Sequence, residues 1–238
     1  MRYSPTIRFA AVLSSMMVLT GCASASPVPA TVVAASTPPA TKFETESPES
    51  AAIAEIFSGL LVDYDTLEST RSIEAISDVV ITGKVDDVHS GPVFGRPDDD
   101  FGDITTVVIT ISDVTVVSGE LPAGTDGNVY LNVLAPNGAD RSNFLEAVPR
   151  GTELALYALQ YQGDGGMGVI KEADGRPEGQ PLYISAHPQG LAIKTMFTDP
   201  SRSNLSEIVW PFTGTVDQID LAEALPGGTA TGADTGLH

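Results

Sequence analysis

The segments SDVVITGKV at residues 77–85 and TVVITISDVTVV at residues 106–117 decide the fold class of this chain. In both segments apolar residues recur at every second position, as expected for strands that bury one face. The alternation changes phase after Ile111, and a β-bulge near Ser112 and Asp113 would account for the change. Gly83 lies inside the first segment and predicts a bend in that strand.

The sequence on either side of these strands predicts further strands and short helices. Apolar residues at helical spacing predict one helix through residues 53–61 and a second within residues 67–77. Downstream, the predicted order is a strand at 129–133, a helix at 142–148, a strand at 154–158, a hairpin over 181–197 with its turn at 187–190, and a helix over 216–225. A fifth strand of the main sheet lies either at 169–171 or at 182–185, and the periodicity leaves both open.

Three strands, a helix and a fourth strand follow one another as in an OB-type barrel, a five-stranded Greek-key form. The predicted fold class is therefore mainly β with short helices (α+β): a small Greek-key/OB-like β-barrel preceded by N-terminal helices. The segment at 77–85, with the long Thr- and Val-rich strand after it, also resembles a β-barrel domain of uncharacterised secreted proteins from actinobacteria and related Gram-positive bacteria. That resemblance covers about residues 70–160 and carries no catalytic residues to this chain.

The N-terminal segment is typical of an exported protein. Residues 1–21 contain Arg2 and Arg8 and then a short apolar stretch at 9–19, which suits a signal peptide and is too short to span a bilayer. The residues Leu19-Thr20-Gly21-Cys22 resemble the lipobox of bacterial lipoproteins. The resemblance implies a diacylglyceryl group on Cys22, with cleavage just before it, and localisation on the extracytoplasmic face of a cell membrane. The alternative is an ordinary secretory signal that is cut after Ala23 or Ala25, which also places the domain outside the cytoplasm.

Composition divides the rest of the chain into three parts. Residues 22–48 comprise the lipidated cysteine and a tether rich in Ala, Ser, Thr and Pro, which we expect to be disordered and to span roughly 25–30 Å as a flexible coil. Residues 49–225 form a β-rich globular domain, and residues 226–238 form a disordered tail of small and polar residues. Cys22 is the only cysteine, so no disulfide forms within the chain.

The charge is strongly acidic, with 12 basic and 31 acidic residues and a formal net charge of −19. Cleavage before Cys22 would remove Arg2 and Arg8 and no acid, which changes the formal charge to −21. Nucleic acid is excluded as a partner because its binding depends on Lys and Arg neutralising phosphates. The expected partners are the membrane, through the diacylglyceryl group on Cys22, and a protein or glycan of the cell envelope.

An acidic turn at residues 98–103 is the candidate metal site. Asp98, Asp100 and Asp103 supply the oxygen ligands that calcium prefers, although the turn lacks the Gly and Glu positions of an EF-hand. The alternative interpretation is a solvated hairpin tip that binds nothing. Calcium is therefore the only cofactor considered.

Other motifs indicate no particular chemistry. The three histidines lie far apart in sequence, and neither a metalloprotease helix motif nor a serine-nucleophile motif occurs. Four aromatic residues suggest either a stacking platform or simple strand filling: Tyr130, Tyr157, Tyr183 and Trp210. The sequence thus favours a non-enzymatic binding module of the cell envelope. The alternatives are an envelope hydrolase with a carboxylate site and a calcium-dependent module that uses the acidic turn.

Overall fold

The computed structural model describes residues 47–57, 64–95, 104–135, 139–163, 168–171, 175–198 and 206–233. These residues form a mainly β protein with few short helices, which confirms the predicted class. The strands are β1 (Val79–Ser90), β2 (Val93–Gly95), β3 (Thr106–Gly119), β4 (Val129–Leu134), β5 (Glu153–Gln160), β6 (Gly168–Lys171), β7 (Leu182–Ser185), β8 (Leu191–Thr198), β9 (Ser206–Trp210) and β10 (Thr215–Ile219). The helices are α1 (Pro48–Phe57), α2 (Thr70–Glu74) and α3 (Arg141–Ala147), with 3-10 turns at Pro188–Gly190 and Leu221–Ala224.

Five strands pair in a closed circuit. β1 pairs with β3, β3 with β4, β4 with β7, β7 with β5, and β5 again with β1. All of these pairs are antiparallel except β4 with β7, which is parallel. β8, β9 and β10 extend the sheet as an antiparallel series from the edge of β5 that also pairs with β7. Of the two candidate fifth strands, residues 182–185 therefore enter the circuit, whereas β6 pairs with β2 in a separate two-stranded sheet.

The two strands that decided the fold class coil around each other. Their register shifts at three places, and one shift falls between Thr82 and Lys84, opposite Asp113. Asp113 has a φ of 52°, so the predicted bulge at 112–113 is confirmed. Gly83 lies opposite this bulge, where a Cβ would come 2.5 Å from Ile111 Cγ2. The strands can therefore approach each other only because residue 83 has no side chain.

The main core lies inside the circuit and under α1 and α3. Alternate residues of the strands point into it, including Ile81, Ile109, Leu131 and Leu156, all at most 2% exposed. Phe57 of α1 joins the two helices to the C-terminal strands, with its ring edge-to-face to Phe144 at 5.5 Å and to Phe212 at 5.3 Å. Leu60 and Leu61, which continue the predicted apolar stripe of this helix, lie outside the described residues.

The outer faces of the circuit are covered by separate segments. α2 covers Val80 and Tyr157 through Ile73, and the 3-10 turn at Leu221–Ala224 helps to cover Trp210. Gly175 packs against β1 and β3, and Tyr161 covers Val108, Tyr130 and Leu182 on the face of β3, β4 and β7.

Three local predictions differ from the structure. The hairpin over 181–197 is wrong, because β7 and β8 do not pair with each other and both lie along the same edge of β5. The helix over 216–225 is wrong in its first half, where residues 215–219 form β10 on the free edge of β9. Residues 226–233, assigned to the tail by composition, are described as far as Ala233, and Gly232 packs directly on the indole of Trp210.

Candidate functional site

The residues singled out from sequence for lipid and metal lie outside the described part of the chain. This holds for Cys22 and for Asp98, Asp100 and Asp103. The base of the acidic turn is described: Phe94 and Ile104 exchange two backbone hydrogen bonds of 2.9 and 2.7 Å. Within the described ranges, no group of three or more His, Cys, Asp or Glu residues is arranged to hold a metal ion. Calcium binding by the turn stays a prediction.

The four aromatic residues considered as a stacking platform are core residues. Tyr130, Tyr157, Tyr183 and Trp210 are each at most 3% exposed. Each belongs to a different apolar cluster, so they do not share a surface. Strand filling is therefore the correct interpretation of this pattern.

Glu207 is a buried carboxylate with a structural task. It is 3% exposed on β9 and accepts hydrogen bonds from the hydroxyls of Ser47 and Ser50. The backbone N–H of Ser47 also donates to it at 3.3 Å, and Ser47 caps the first turn of α1. These bonds fix the start of the described domain to the sheet.

Asp87 forms the centre of an ion cluster on the surface. Arg141 Nη2 contacts both carboxylate oxygens at 2.8 and 2.9 Å, and Arg150 Nη2 lies 2.9 Å from Oδ1. Burial raises the pKa of Asp87, but hydrogen bonds from Arg141, the backbone N–H of Val88 and Arg150, together with the charge of Arg141, outweigh it and hold the pKa well below its usual range. His89 Nε2 lies 3.8 Å from the same carboxylate. Asp87 is thus held by its own neighbours.

His187 also has a structural role. Its Nδ1 accepts a hydrogen bond from the backbone N–H of Gln189, and its Nε2 lies 3.2 Å from the carbonyl oxygen of Asp65. Burial lowers the pKa of His187 and so favours the neutral ring. The contact with the carbonyl oxygen of Asp65 acts in the opposite direction but only partly offsets this effect. Both ring nitrogens are therefore engaged in holding the turn between β7 and β8.

An open cleft lies where β5 ends beside the start of β1 and the strand β7. We call it the rim cleft; it has a volume of about 420 Å³ and is lined by residues 159–163, Asp78 and Ile184. Binding sites for small molecules typically have volumes of about 300–1,000 Å³. One oxygen of Asp78, Oδ2, accepts a hydrogen bond from the backbone N–H of Gln160 at 2.8 Å, which fixes the carboxylate at the edge of the cleft.

The polar side chains of the rim cleft have unused hydrogen-bonding capacity. Among the described residues, the side-chain amides of Gln160 and Gln162 and the second oxygen of Asp78 make no hydrogen bond. Tyr183, which lies opposite Gln160 in the pairing of β7 with β5, is not part of the lining: its side chain lies in the main core, on the other face of β7 from Ile184. The Tyr183 hydroxyl is buried and has no hydrogen-bond partner within the described ranges. Burial raises the pKa of Tyr183, and the nearby charge of Asp78 raises it further.

A second concavity differs from the rim cleft because its charged side chains already have partners. It has a volume of about 310 Å³ and lies between β1, β5 and the 3-10 turn at Leu221–Ala224. Its charged side chains are already paired, since Lys84 contacts Asp113 at 3.1 Å and Glu153 contacts Lys194 at 2.6 Å. The rim cleft is therefore the better candidate for binding a ligand.

Sequence reasoning did not find the rim cleft. Its residues come from the start of β1, the end of β5 and the middle of β7, and none of these segments contains a motif. No helix within the described ranges is long and apolar enough to cross a bilayer. Comparison of the chain with protein-family models, with curated proteins and with solved structures found no match.

Proposed function

We propose that this chain is an extracytoplasmic lipoprotein whose β domain binds a component of the cell envelope in the rim cleft. The observation that carries the proposal is the rim cleft itself, an open concavity of about 420 Å³. The ring of Tyr161 and the apolar side chains of Leu159 and Ile184 line it beside three polar side chains, those of Asp78, Gln160 and Gln162. Ligand sites typically combine apolar walls with a few polar groups that fix the orientation of the ligand.

We further infer that the five-strand circuit is an OB-type barrel. The order β1-β3-β4-β7-β5, the parallel pair of β4 with β7 and the position of α3 between β4 and β5 support this assignment. In such barrels the face of the second and third strands binds ligands. Here the corresponding residues, Val108 and Tyr130, are covered by Tyr161. The open rim beside Tyr161 is then the remaining place for a ligand on this side of the barrel.

The lipid anchor rests on the sequence around Cys22. A diacylglyceryl group on this residue would hold the protein stably at a membrane, since two acyl chains suffice where one is marginal. Ser47 and Pro48 form the start of α1, and Glu207 fixes Ser47 to the sheet, so the tether proposed for residues 22–48 would end at residue 46. The acidic domain would then stand clear of an anionic membrane surface.

The anchor is tested with the variant Cys22→Ser in the full chain. We expect the wild type to enter the detergent phase on phase separation and the variant to stay in the aqueous phase, because the thioether cannot form on serine. Ser24→Ala is the matched control and should behave like the wild type. A Cys22→Ser protein that still enters the detergent phase would overturn the anchor.

Binding is tested by affinity capture from envelope extracts with the full chain and a variant that fills the cleft. Gln162 is exposed at the rim, so Gln162→Trp should obstruct the cleft without disturbing the core. We expect mass spectrometry to detect components that the wild type retains and the variant loses. The same set on both proteins would show that the cleft is not the site, and an empty set on both would refute the binding function.

A further inference from the structure

We propose that a calcium ion binds beneath the first turn of α1, at three buried side chains that we call the oxygen row. The row consists of Thr195, Glu207 and Gln218, one residue each from β8, β9 and β10. None of these residues lines the rim cleft, so the inference is independent of the function proposed for that cleft.

Strand alternation places the oxygen row on the inner face of the sheet. Thr195 lies two residues from Ile193, which belongs to the main core, and therefore faces the same side. Glu207 lies two residues from Val209 of the same core. Gln218 is the direct cross-strand partner of Glu207. Side chains paired in this way have Cβ atoms about 4.5–5.5 Å apart, so one ion can contact both.

The strand β8 is irregular beside Glu207. Its pairs with β9 at Lys194 and Thr198 enclose three residues of β8 but only Glu207 of β9. Thr195 is the first of the three and is 3% exposed, so its hydroxyl is enclosed within the domain. Bulges interrupt the backbone ladder and redirect side chains, and they are frequent next to functional sites.

Glu207 is a buried carboxylate without a cationic partner. The hydroxyls of Ser47 and Ser50 and the N–H of Ser47 all donate to Oε2, the first at 2.5 Å, which is typical of an ionised acceptor. Within the described ranges Oε1 accepts no hydrogen bond, and no Lys, Arg or His pairs with Glu207. Lys194 on the neighbouring strand contacts Glu153 instead. Buried charges in proteins are paired or coordinate metals, so we expect a cation at Oε1.

The other two oxygens of the row are unpartnered. Among the described residues, the hydroxyl of Thr195 and the amide oxygen of Gln218 are buried and make no hydrogen bond. Buried polar atoms without a partner are costly and uncommon. An amide beside a bare carboxylate would turn its NH₂ donors toward it, whereas Gln218 buries its acceptor oxygen. That orientation suits a cation shared with Glu207.

Calcium fits this set of ligands best. It binds carboxylate and amide oxygens in flexible geometry and completes its six to eight ligands with water, whereas zinc prefers nitrogen and sulfur. Glu49 in the first turn of α1 accepts a hydrogen bond from the N–H of Met196 at 2.9 Å, which brings a second negative charge near Thr195 and favours a divalent ion. With three protein oxygens we expect a dissociation constant of about 10⁻⁴–10⁻³ M. The ion fastens α1 to the C-terminal strands.

Thr195→Val tests the site because it removes one ligand and leaves the packing nearly unchanged. The lost hydroxyl has no partner, so the melting temperature without calcium should stay the same or rise. Thr152→Val is the matched control. Thr152 is 2% exposed and its hydroxyl is also unpartnered within the described ranges, but it lies directly before β5.

The measurement is thermal denaturation of the full chain in EGTA and in about 10 mM calcium or magnesium chloride, with calorimetric titration of calcium. We expect calcium to raise the melting temperature of the wild type and of Thr152→Val by about 3–6 °C, and magnesium to raise it less. Thr195→Val should lose most of the shift. No shift in the wild type, or an equal shift in Thr195→Val, would overturn the site.

A further variant distinguishes the oxygen row from the acidic turn at residues 98–103. The triple variant Asp98→Asn, Asp100→Asn and Asp103→Asn should keep a calcium shift, and adding Thr195→Val to it should remove that shift. A shift that the triple variant loses and Thr195→Val alone keeps would place calcium at the turn and contradict the proposal.

Discussion

At the scale of single residues, Asp87 on β1 and Asp78 just before it differ in how many of their carboxylate oxygens have partners within the chain. Asp87 is only 20% exposed in its side chain and is held by Arg141, Arg150 and the backbone N–H of Val88. Asp78 lies at the mouth of the rim cleft and uses one oxygen for the N–H of Gln160. The first residue stabilises the fold, and the second retains capacity for a ligand.

Asp87→Asn should destabilise the domain in a pH-dependent way. The folded-state pKa of Asp87 lies below its ordinary value of 3.8, so its stabilising effect is complete above about pH 4–5 and declines as the pH falls toward the folded-state pKa. We expect a loss of about 1–2 kcal/mol at neutral pH, because charge-assisted hydrogen bonds are replaced by weaker ones. The difference from the wild type should shrink below about pH 4.

This pH dependence is measured by thermal denaturation of both proteins at a series of pH values. Asp113→Asn is the control. The side chains of Asp113 and Lys84 are both exposed, so loss of their ion pair should change the stability little at every pH. A difference for Asp87→Asn that stays constant down to pH 3 would contradict the expected linkage.

At the scale of elements, the pairing of β1 with β3 sets the curvature of the sheet. The bulge at Asp113 adds a residue to β3, and Gly83 lets the two backbones approach at that point. A second register shift between Val80 and Ile81 adds Val117 to the same strand. Bulges increase the twist of a strand pair, which allows β1 to pair with β3 along its whole length and with β5 over its first half.

Gly83→Ala should therefore destabilise the domain by about 1–3 kcal/mol, the cost of forcing an extra methyl into a packed core. The new Cβ would lie 2.5 Å from Ile111 Cγ2 and 2.9 Å from the carbonyl oxygen of Ser112, so the strands would have to separate. Urea denaturation measures the change, with the neighbouring Thr82→Ala as the control on the opposite face. A Gly83→Ala variant as stable as the wild type would show that the strands tolerate a wider spacing.

At the scale of the whole molecule, the two ends of the described domain are fastened to the same sheet. Glu207 on β9 holds Ser47 at the N-terminal end. Gln189, 1% exposed between β7 and β8, accepts a hydrogen bond from the N–H of Leu67 and donates to the carbonyl oxygens of Leu67 and Thr231. Distant segments of the chain therefore stabilise one another through a few buried polar side chains.

Removal of residues 226–238 should destabilise the domain by about 2–4 kcal/mol, because it uncovers Trp210 and leaves part of the Gln189 amide unpaired. Trp210 is the only tryptophan, so its fluorescence emission should shift to longer wavelength as water reaches the indole. A chain that ends at Ala233 keeps every described contact of this segment and is the control. Identical emission and melting temperature for both truncations would contradict the structural role of residues 226–233.

Periodicity alone determined the class of the fold and much of its local structure. The alternation at 77–85 and 106–117 predicted two long strands and the bulge within the second of them. This was possible because the side-chain period of a strand is a local property. The same reasoning located β4, α3 and β5 and, with the lipobox, gave the prediction of a lipid anchor on Cys22. None of this information depends on which segments become neighbours.

Tertiary structure alone decided which strand edges pair and where a ligand can enter. β7 joined the circuit because an edge of β5 was free to pair with it, and residues 215–219 became a strand because an edge of β9 was free. Local strand propensity does not show which edges are free. The rim cleft combines Asp78, residues 159–163 and Ile184 from three distant parts of the sequence. A cleft forms between segments that only the packed chain brings together, so it is visible only once the strands are in place.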